Sequence, residues 1–501
     1  MGSSTSLPHP PQNDSMTVLQ LSLPRYLQDR QCGYCHLSKP DYFSLESRKQ
    51  HAEDYPPPQS IIIGTHVFSM SCRDYDEFIN QGYRRSGSFM YKPDQLRTCC
   101  RQFTIRTNVE YLGKLNKEQR KVINRFIKEI CPNGMEPPKK HAEFDYTRLI
   151  KAQQGSKRFR TRFEPSKFSK EKYELYKKYQ MKVHGDKESE VHESSFKRFL
   201  CDTPFSDEEI NGNESQWELL QNWVKNWNPD HHQTVSGENK RIGPTHELYY
   251  LDDKLIAFSV LDFLPTILSS IYFVWDPDYA HLSLGTLSAL KEIQMCHELG
   301  LGYYYLGYYI EDCPKMVYKG KFGGEILDIV NETYFPMEII KPYISGDRLF
   351  VMGEEDKLDE YSQELEIEND GYPIDVTKSR FKDKKLTNVA ENIYGNPEVE
   401  KRAEEAAKTL LVKYGIYYDF DDVGGEEIPM VVPGITPLWQ IVEWFETGVL
   451  DEDFPIRFYY RYNKKRMSLC LGDLTDQGKA LVINCIRMFG IEKVERCEIA
   501  L

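Results

Sequence analysis

Six residues carry the strongest constraint in this 501-residue chain: the turn Cys32-Gly33-Tyr34-Cys35 near its start, and the vicinal pair Cys99-Cys100. A Cys-x-x-Cys turn aims two thiolates at one ion. A second pair arriving from a distant segment completes a four-sulfur tetrahedral site for zinc or an iron-sulfur cluster. Such a site ties the N-terminal segment to the first folded unit, with His36 an alternative ligand in place of one sulfur. The competing reading is an inert turn and two unrelated half-buried thiols. The remaining cysteines (Cys72, Cys131, Cys201, Cys296, Cys313, Cys470, Cys485, Cys497) stand singly. Nothing ahead of them has the charged start and apolar centre of a signal peptide. The cysteines therefore read as ligands or core packers in a reducing compartment, the cytoplasm or the nucleus as well. The opening Met1-Gly2-Ser3-Ser4-Thr5-Ser6 satisfies the myristoylation pattern formally, but residues 1–22 read as a disordered leader.

With 40% hydrophobic and 13% aromatic residues, the chain supports real cores, and its length allows two or three domains. The apolar run 255–275 carries Asp262 and Pro265 in its middle, so it reads as two buried strands separated by a turn and no membrane span is expected. Charge is uneven within the net of −13: residues 139–182 hold fourteen Lys/Arg against five Asp/Glu, whereas 354–370 hold nine acids against Lys357. The basic segment is interleaved with Phe159, Phe163, Phe168, Tyr173, Tyr176 and Tyr179, which leaves a local phosphate-binding face open beside the plainer reading of a solvated helix surface.

Apolar periodicity predicts helices near 74–82, 116–130, 167–182, 396–413, 437–446 and 477–489 and a strand at Ile61-Ile62-Ile63. From 203 to about 350 the pattern changes. His246–Leu251 and Leu255–Phe263 flank Asp252-Asp253-Lys254 as a hairpin, Ile271–Trp275 is a third strand, Leu284–Leu299 an amphipathic helix, and Tyr303–Ile310 a fourth strand. Strand, strand, strand, helix, strand is the order of an acetyltransferase-like core.

Residues within this core also carry a resemblance. Tyr303-Tyr-Tyr-Leu-Gly307-Tyr-Tyr-Ile-Glu311-Asp-Cys-Pro-Lys315-Met-Val-Tyr-Lys319 and Tyr272-Phe-Val-Trp-Asp276-Pro-Asp-Tyr279 resemble the arginyl-tRNA-protein transferases. Further matching blocks run in order: Arg84-Arg85-Ser86-Gly87, Cys99-Cys100-Arg101, Thr161-Arg162-Phe163-Glu164-Pro165-Ser166, Phe196-Lys197-Arg198-Phe199-Leu200-Cys201 and Thr245-His246-Glu247. The resemblance covers about 30 to 350 and fades beyond about 355.

It implies an α+β, mixed α/β, bilobal architecture: an acetyltransferase-like (GNAT-type) core with an N-terminal Cys-rich metal-binding unit. The expected segments are the leader 1–22, the Cys-rich domain 23–135, a basic, tRNA-facing helical connector 136–202, the catalytic core 203–352, and an acidic excursion with a C-terminal extension, 353–501. The implied activity moves arginine from arginyl-tRNA to the amino terminus of proteins beginning with Asp, Glu or oxidised Cys. Those proteins are thereby marked for ubiquitin-dependent degradation through an N-degron ligase. Zinc or an iron-sulfur cluster is expected on Cys32, Cys35, Cys99 and Cys100, and neither ATP nor coenzyme A is required. Where coenzyme A users carry a two-glycine pyrophosphate loop, this chain reads His281-Leu-Ser-Leu-Gly285-Thr286, with one glycine of the two.

The chemistry then needs cations for the acidic first residue, for which Arg84, Arg85 and Lys92 are candidates. Carboxylates for the donor arginine are expected among Glu247, Asp276, Glu311 and Asp312. Proton handling falls to His246 or Glu247 with a tyrosine of 303–309, Tyr308 in particular, and Asp276 joins this catalytic set. Strand alternation would place Tyr303, Tyr305, Gly307 and Tyr309 on one face and Tyr304, Leu306 and Tyr308 on the other. Lys157, Arg160, Arg162, Lys167 and Lys170 are the expected tRNA contacts. The rivals are an acyl-CoA-dependent N-acetyltransferase and a non-catalytic, metal-dependent reader of acidic termini.

Overall fold

The computed structural model describes residues 17–29, 31–35, 60–109, 115–132, 147–228, 239–346, 348–354, 374–375, 385–418 and 428–501. The myristoylation pattern, most of the expected leader, His36, residues 133–140 and the acidic run 355–370 lie outside them.

The N-terminal strands are β1 (Gln20–Ser22), β2 (Arg25–Asp29), β3 (Ser60–Ser69), β4 (Arg84–Ser86) and β5 (Phe89–Pro93). A second set follows: β6 (Phe103–Asn108), β7 (Phe159–Pro165), β8 (Gly243–Leu251), β9 (Lys254–Phe263), β10 (Ile267–Trp275), β11 (Tyr303–Tyr309), β12 (Gly324–Asp328) and β13 (Thr333–Pro336). Short pieces β14 (Met352–Glu354), β15 (Ile374–Asp375) and β16 (Leu386–Asn388) lead to β17 (Pro455–Tyr460), β18 (Lys465–Cys470) and β19 (Glu498–Ala500). Two large sheets result, ordered β18-β17-β19-β1-β3-β5-β4 with β2 on β3, and β15-β13-β12-β6-β11-β10-β9-β8-β7.

These sheets cut across the segments read from sequence. Residues 20–22, placed in the leader, form β1, which lies between β3 and the chain's last strand, with Gln20 opposite Glu498 in the parallel pair with β19. β6, from the expected Cys-rich domain, lies inside the second sheet between β12 and β11, and β7, from the expected connector, is its edge strand. The C-terminal third, which the motifs leave without a role, supplies three strands of the first sheet and much of its core, including Ile456, Ile483, Ile486 and Ile499.

The expected hairpin is β8–β9. Its turn residues Asp252 and Asp253 take φ of 49° and 62°, the left-handed pair that a two-residue hairpin requires and that Asp tolerates. The helix Leu284–Glu298 departs from the amphipathic expectation. Residues 287–296 are all buried, because the helix lies between the sheet and the helix Lys117–Ile130. Its buried charged members are met internally: Lys291 pairs with Glu247, while Glu292 accepts from Ser259, Ser288 and Tyr304 at 2.5–2.6 Å. On the opposite face the basic helix Lys170–Tyr179 packs against β9 and β10 through Tyr173, Tyr176 and Tyr179.

Candidate functional site

The second sheet is locally open. β10 and β11 run parallel and pair only from Ile267↔Tyr303 to Ser269↔Tyr305. Beyond that point β10 stays with β9 and β11 with β6, so the far halves of two neighbouring strands part. A parting between parallel strands at their carboxyl ends is where α/β sheets place ligands. The helix Leu284–Glu298 starts on the same side, and its Ser283 hydroxyl accepts from Arg125 at 2.7 Å.

The β11 side of the parting is irregular. Gly307 has φ of 81°, and the pairing with β6 shifts between Tyr305 and Tyr308. The resulting bulge breaks the expected alternation of tyrosine faces. Tyr305 and Tyr308, assigned to opposite faces by simple alternation, both lie against Arg84, each ring centre 5.1 Å from its Cζ.

Two cations flank this bulge. Arg84 donates to the carbonyls of Ile79, Tyr83 and Gly307, and its buried Nε has no partner among the described residues. Lys319 donates to the carbonyl of Tyr308 at 2.8 Å. Burial, and next the charge of Arg84, pushes Lys319 down to about 7. Neither has a carboxylate partner among the described residues. Buried cations without a counter-anion are costly; a site that keeps two of them beside a parted sheet has the character of an anion subsite. Sequence reasoning quoted Lys319 without choosing it. The available signal was its three-residue spacing from Phe322 in a 3-10 turn, which turns both inward.

The other expected acid-binding residues are engaged elsewhere. Arg84 and Arg85 form β4 between Gly82 and Gly87, and neither is at the surface. Arg85 makes a bidentate pair with fully buried Asp262 at 2.6 and 2.7 Å and lies against Tyr75 and Phe205. Lys92 donates to the carbonyl of Gly434 at 2.5 Å over the Tyr83 ring, binding the C-terminal third, and burial brings it down to about 8.

The expected proton-handling residues are likewise committed. His246 is fully buried. Its Nε2 sits 2.9 Å from both the Leu200 carbonyl and Ser166 Oγ, and its Nδ1 2.8 Å from Lys172 Nζ. A carbonyl only accepts, so the ring is neutral with its proton on Nε2; burial and then Lys172 push it down to about 3. Glu247 is closed by Lys291 and Tyr249. Asp276 caps the turn Pro277–Leu282 and accepts from Lys178 at 2.5 Å and Lys254 at 2.8 Å. Burial alone would raise its carboxyl, but the two lysines carry it below the usual range. The Tyr308 hydroxyl donates to the Gly82 carbonyl at 3.0 Å, and burial raises it well above the ordinary phenol. Among the expected carboxylates, half-buried Glu311, which accepts from Tyr309, and exposed Asp312 follow the parted end of β11.

The four cysteines come together as expected. The Sγ atoms of Cys32, Cys35, Cys99 and Cys100 all lie within 4.8 Å of one another, and Cys35 and Cys99 are 3.6 Å apart. The Tyr34 amide donates to Cys32 Sγ at 3.4 Å. Hydrogen bonds from Cys100 and Cys99 push Cys32 down toward thiolate, while those with Cys100 and then Cys32 push Cys99 up. Four sulfurs this close cannot all ionise unless a cation joins them, so the donor set fits a metal. Ile310 and Cys313, from the segment after β11, close the cluster. The centre therefore joins the Cys-x-x-Cys turn to the start of β6 and the end of β11.

Lys157, Arg160, Arg162, Lys167 and Lys170 are all exposed, running from just before β7 through the loop after it to the first residue of the helix Lys170–Tyr179. Arg160 pairs with Asp253 at 3.3 Å, Arg162 with Glu164 at 2.9 Å, and Lys167 donates to Asn211 at 2.8 Å. Exposed pairs of this kind are weak and can be exchanged for a phosphate.

Comparison with known proteins identifies the family. The family model described as the C terminus of arginine-tRNA-protein transferase matches residues 171–328, and that of the N terminus matches 30–121. Arginyl-tRNA-protein transferase 1 of Saccharomyces cerevisiae is 38% identical over 490 residues, 92% of this chain and 94% of its own. The Drosophila melanogaster protein of that name is 26% identical, covering 55% of this chain and 77% of its own. The aspartate/glutamate leucyltransferase of Campylobacter jejuni is 39% identical over 87 residues, 17% of this chain and 36% of its own. A putative lysylphosphatidylglycerol synthetase domain from Agrobacterium fabrum covers 42% of this chain and 46% of its own at 11% identity, with a TM-score of 0.22, too low to bear on the fold. With that identity to the yeast enzyme along nearly the whole of both chains, the protein belongs to the arginyl-tRNA-protein transferase family.

Proposed function

We propose that the chain transfers arginine from arginyl-tRNA to the α-amine of proteins whose first residue is acidic, with the acidic side chain held by Arg84 and Lys319. The observation that carries this preference is the pair of buried cations beside the parted strands, neither with a carboxylate partner among the described residues. The neutral amine attacks the ester carbonyl, a C–N bond forms, the ester C–O bond breaks, and the terminal ribose hydroxyl leaves with the proton. The ester is already activated, so nucleotide hydrolysis is not needed. A free α-amine, with a pKa near ~7.7–8.0, is substantially neutral at physiological pH. With His246, Glu247, Asp276 and Tyr308 committed to internal partners, catalysis in this reading rests on positioning. Glu311 and Asp312 take the donor guanidinium. The exposed residues Lys157, Arg160, Arg162, Lys167 and Lys170 take tRNA phosphates.

The order β8, β9, β10, helix, β11 supports an acetyltransferase-like core. The sulfur spacing supports a single tetrahedral ion such as zinc. A Zn–S bond of about 2.3 Å sets sulfurs roughly 3.8 Å apart, whereas a cluster with a separate iron for each thiolate holds them wider. Bound there, the ion would fasten residues 32–35 to the start of β6, against which the end of β11 packs through Ile310 and Cys313. The arginylated product would pass to an N-degron ubiquitin ligase in the cytoplasm or nucleus. Among the described residues no helix is long and apolar enough to cross a membrane.

The test mixes labelled arginyl-tRNA with Asp-starting and Asn-starting peptides. Transfer to the first well above the second supports the reading. A protein that ignores the tRNA but is stabilised by acetyl-CoA is an acetyltransferase. One that binds the Asp peptide without modifying it is a reader of acidic termini. Either result ends the proposal.

A further inference from the structure

The acidic chain carries one basic projection that the reaction does not use. Strands β17 and β18 pair from Pro455↔Cys470 to Tyr460↔Lys465, and the turn between them reads Arg461-Tyr462-Asn463-Lys464. Residues 461–466 are all exposed and hold four cations, Arg461, Lys464, Lys465 and Arg466, with no acid among them. Tyr462 is 103% exposed.

The tip is pre-organised. Arg461 lies 3.9 Å over the Phe68 ring and its amide donates to Leu501. Asn463 accepts from the Lys465 amide at 3.0 Å, Lys464 takes φ of 55°, and Arg466 pairs with Glu498 at 2.6 Å. Lys464, Lys465 and Tyr462 have no partner among the described residues. Lysines on an edge strand also deter sheet-to-sheet pairing, but that purpose asks nothing of a fully exposed tyrosine. An open aromatic ring set among cations on a rigid turn matches single-stranded nucleic acid, which offers phosphates to the cations and an unstacked base to the ring.

We propose that the β17–β18 tip is a second RNA-contact surface, where Lys464 and Lys465 pair with backbone phosphates and Tyr462 stacks on an unpaired base of the tRNA. The inference rests on arginyl-tRNA being the donor. It adds a contact on the first sheet to the basic edge of the second.

The test measures binding of fluorescently labelled full-length tRNA to the full chain from about 50 to 200 mM salt. The variants are Tyr462→Ala and the double change Lys464→Glu, Lys465→Glu, whose exposed side chains leave the melting temperature in place. Loss of stacking should weaken binding about 5- to 150-fold. The charge reversals should weaken it at least about 10-fold at low salt and flatten the log–log salt slope by about 1.5. Peptide KM at saturating tRNA should not move. Affinities within twofold of the parent with an unchanged slope overturn the proposal. So does a rise in peptide KM with tRNA affinity intact, which would make the tip a protein-docking surface. A parent that binds no tRNA overturns the donor assignment as well.

Discussion

Replacing Lys319 with Met keeps the length of the side chain and removes its charge, so Lys319→Met isolates the electrostatic part of acid recognition. A hydrogen bond between a cation and a carboxylate is worth about 1.5–3 kcal/mol. Its loss should lower kcat/KM for an Asp-starting peptide roughly 10- to 150-fold and leave an Asn-starting peptide nearly unaffected. The pH profile gives a second readout. Lys319 is pushed down to about 7 by burial and by Arg84, so its positive charge is present below that pH and lost above it. The substrate amine works in the other direction, becoming neutral and reactive as pH rises through ~7.7–8.0. The parent should therefore show a bell-shaped kcat/KM for the Asp peptide. Lys319→Met should keep the rise and lose the fall. Steady-state kinetics from pH 6 to 9.5 with saturating arginyl-tRNA decide it. A variant that retains both the alkaline fall and the preference for Asp over Asn refutes the reasoning.

Three further outcomes follow from contacts elsewhere. Arg85→Met leaves Asp262 charged and buried without its bidentate partner, which should cost about 3–5 kcal/mol; denaturant midpoints test this, and a variant of parental stability that fails only in peptide binding would make Arg85 a substrate residue. Cys99→Ser should lower bound metal well below one per chain by elemental analysis and also lower the melting temperature; unchanged metal content contradicts the four-sulfur site. His246 is neutral in the fold and pushed down to about 3, so its contribution to stability is present above the unfolded value of about 6.5 and is lost as pH falls from there toward 3, by about 1.4 kcal/mol per unit. Asp76 and Asp328, raised by burial to about 6, act with the opposite sign between roughly pH 4 and 6. The His246 part is therefore read as the difference between parent and His246→Gln in denaturant midpoints at pH 7 and 5, and equal pH slopes contradict it.

Local chemistry was legible in the sequence, whereas distant pairing was not. Asp252-Asp253 between alternating runs announced the β8–β9 hairpin, and the apolar periodicity of 116–130 announced the helix Lys117–Ile130. The two cysteine pairs announced a common site because ligand type and spacing are properties of the chain itself. What could not be read was which polar groups were already satisfied. His246 and Glu247 have the residue types of an acid-base pair, but their partners Leu200, Lys172 and Lys291 lie 44 to 74 positions away and meet them only in the fold. Arg85 was misjudged for the same reason, its carboxylate being 177 positions distant. The tyrosine faces failed because alternation assumes an unbroken strand, and the positive φ of Gly307 inserts a bulge. The C-terminal third left no motif to recognise. Its part in the first sheet rests on β19 lying beside β1, with the Gln20 amide donating to Glu498 across 478 positions.

The ratio of kcat/KM for Asp-starting over Asn-starting peptides, at saturating arginyl-tRNA, tests the central claim most directly when measured for the parent and for Arg84→Gln. If the cations beside Gly307 read the acidic residue, the parent ratio should exceed about 10 and fall toward 1 in a variant that still folds and still binds tRNA. A folded, tRNA-binding Arg84→Gln that keeps the parent ratio would contradict the account.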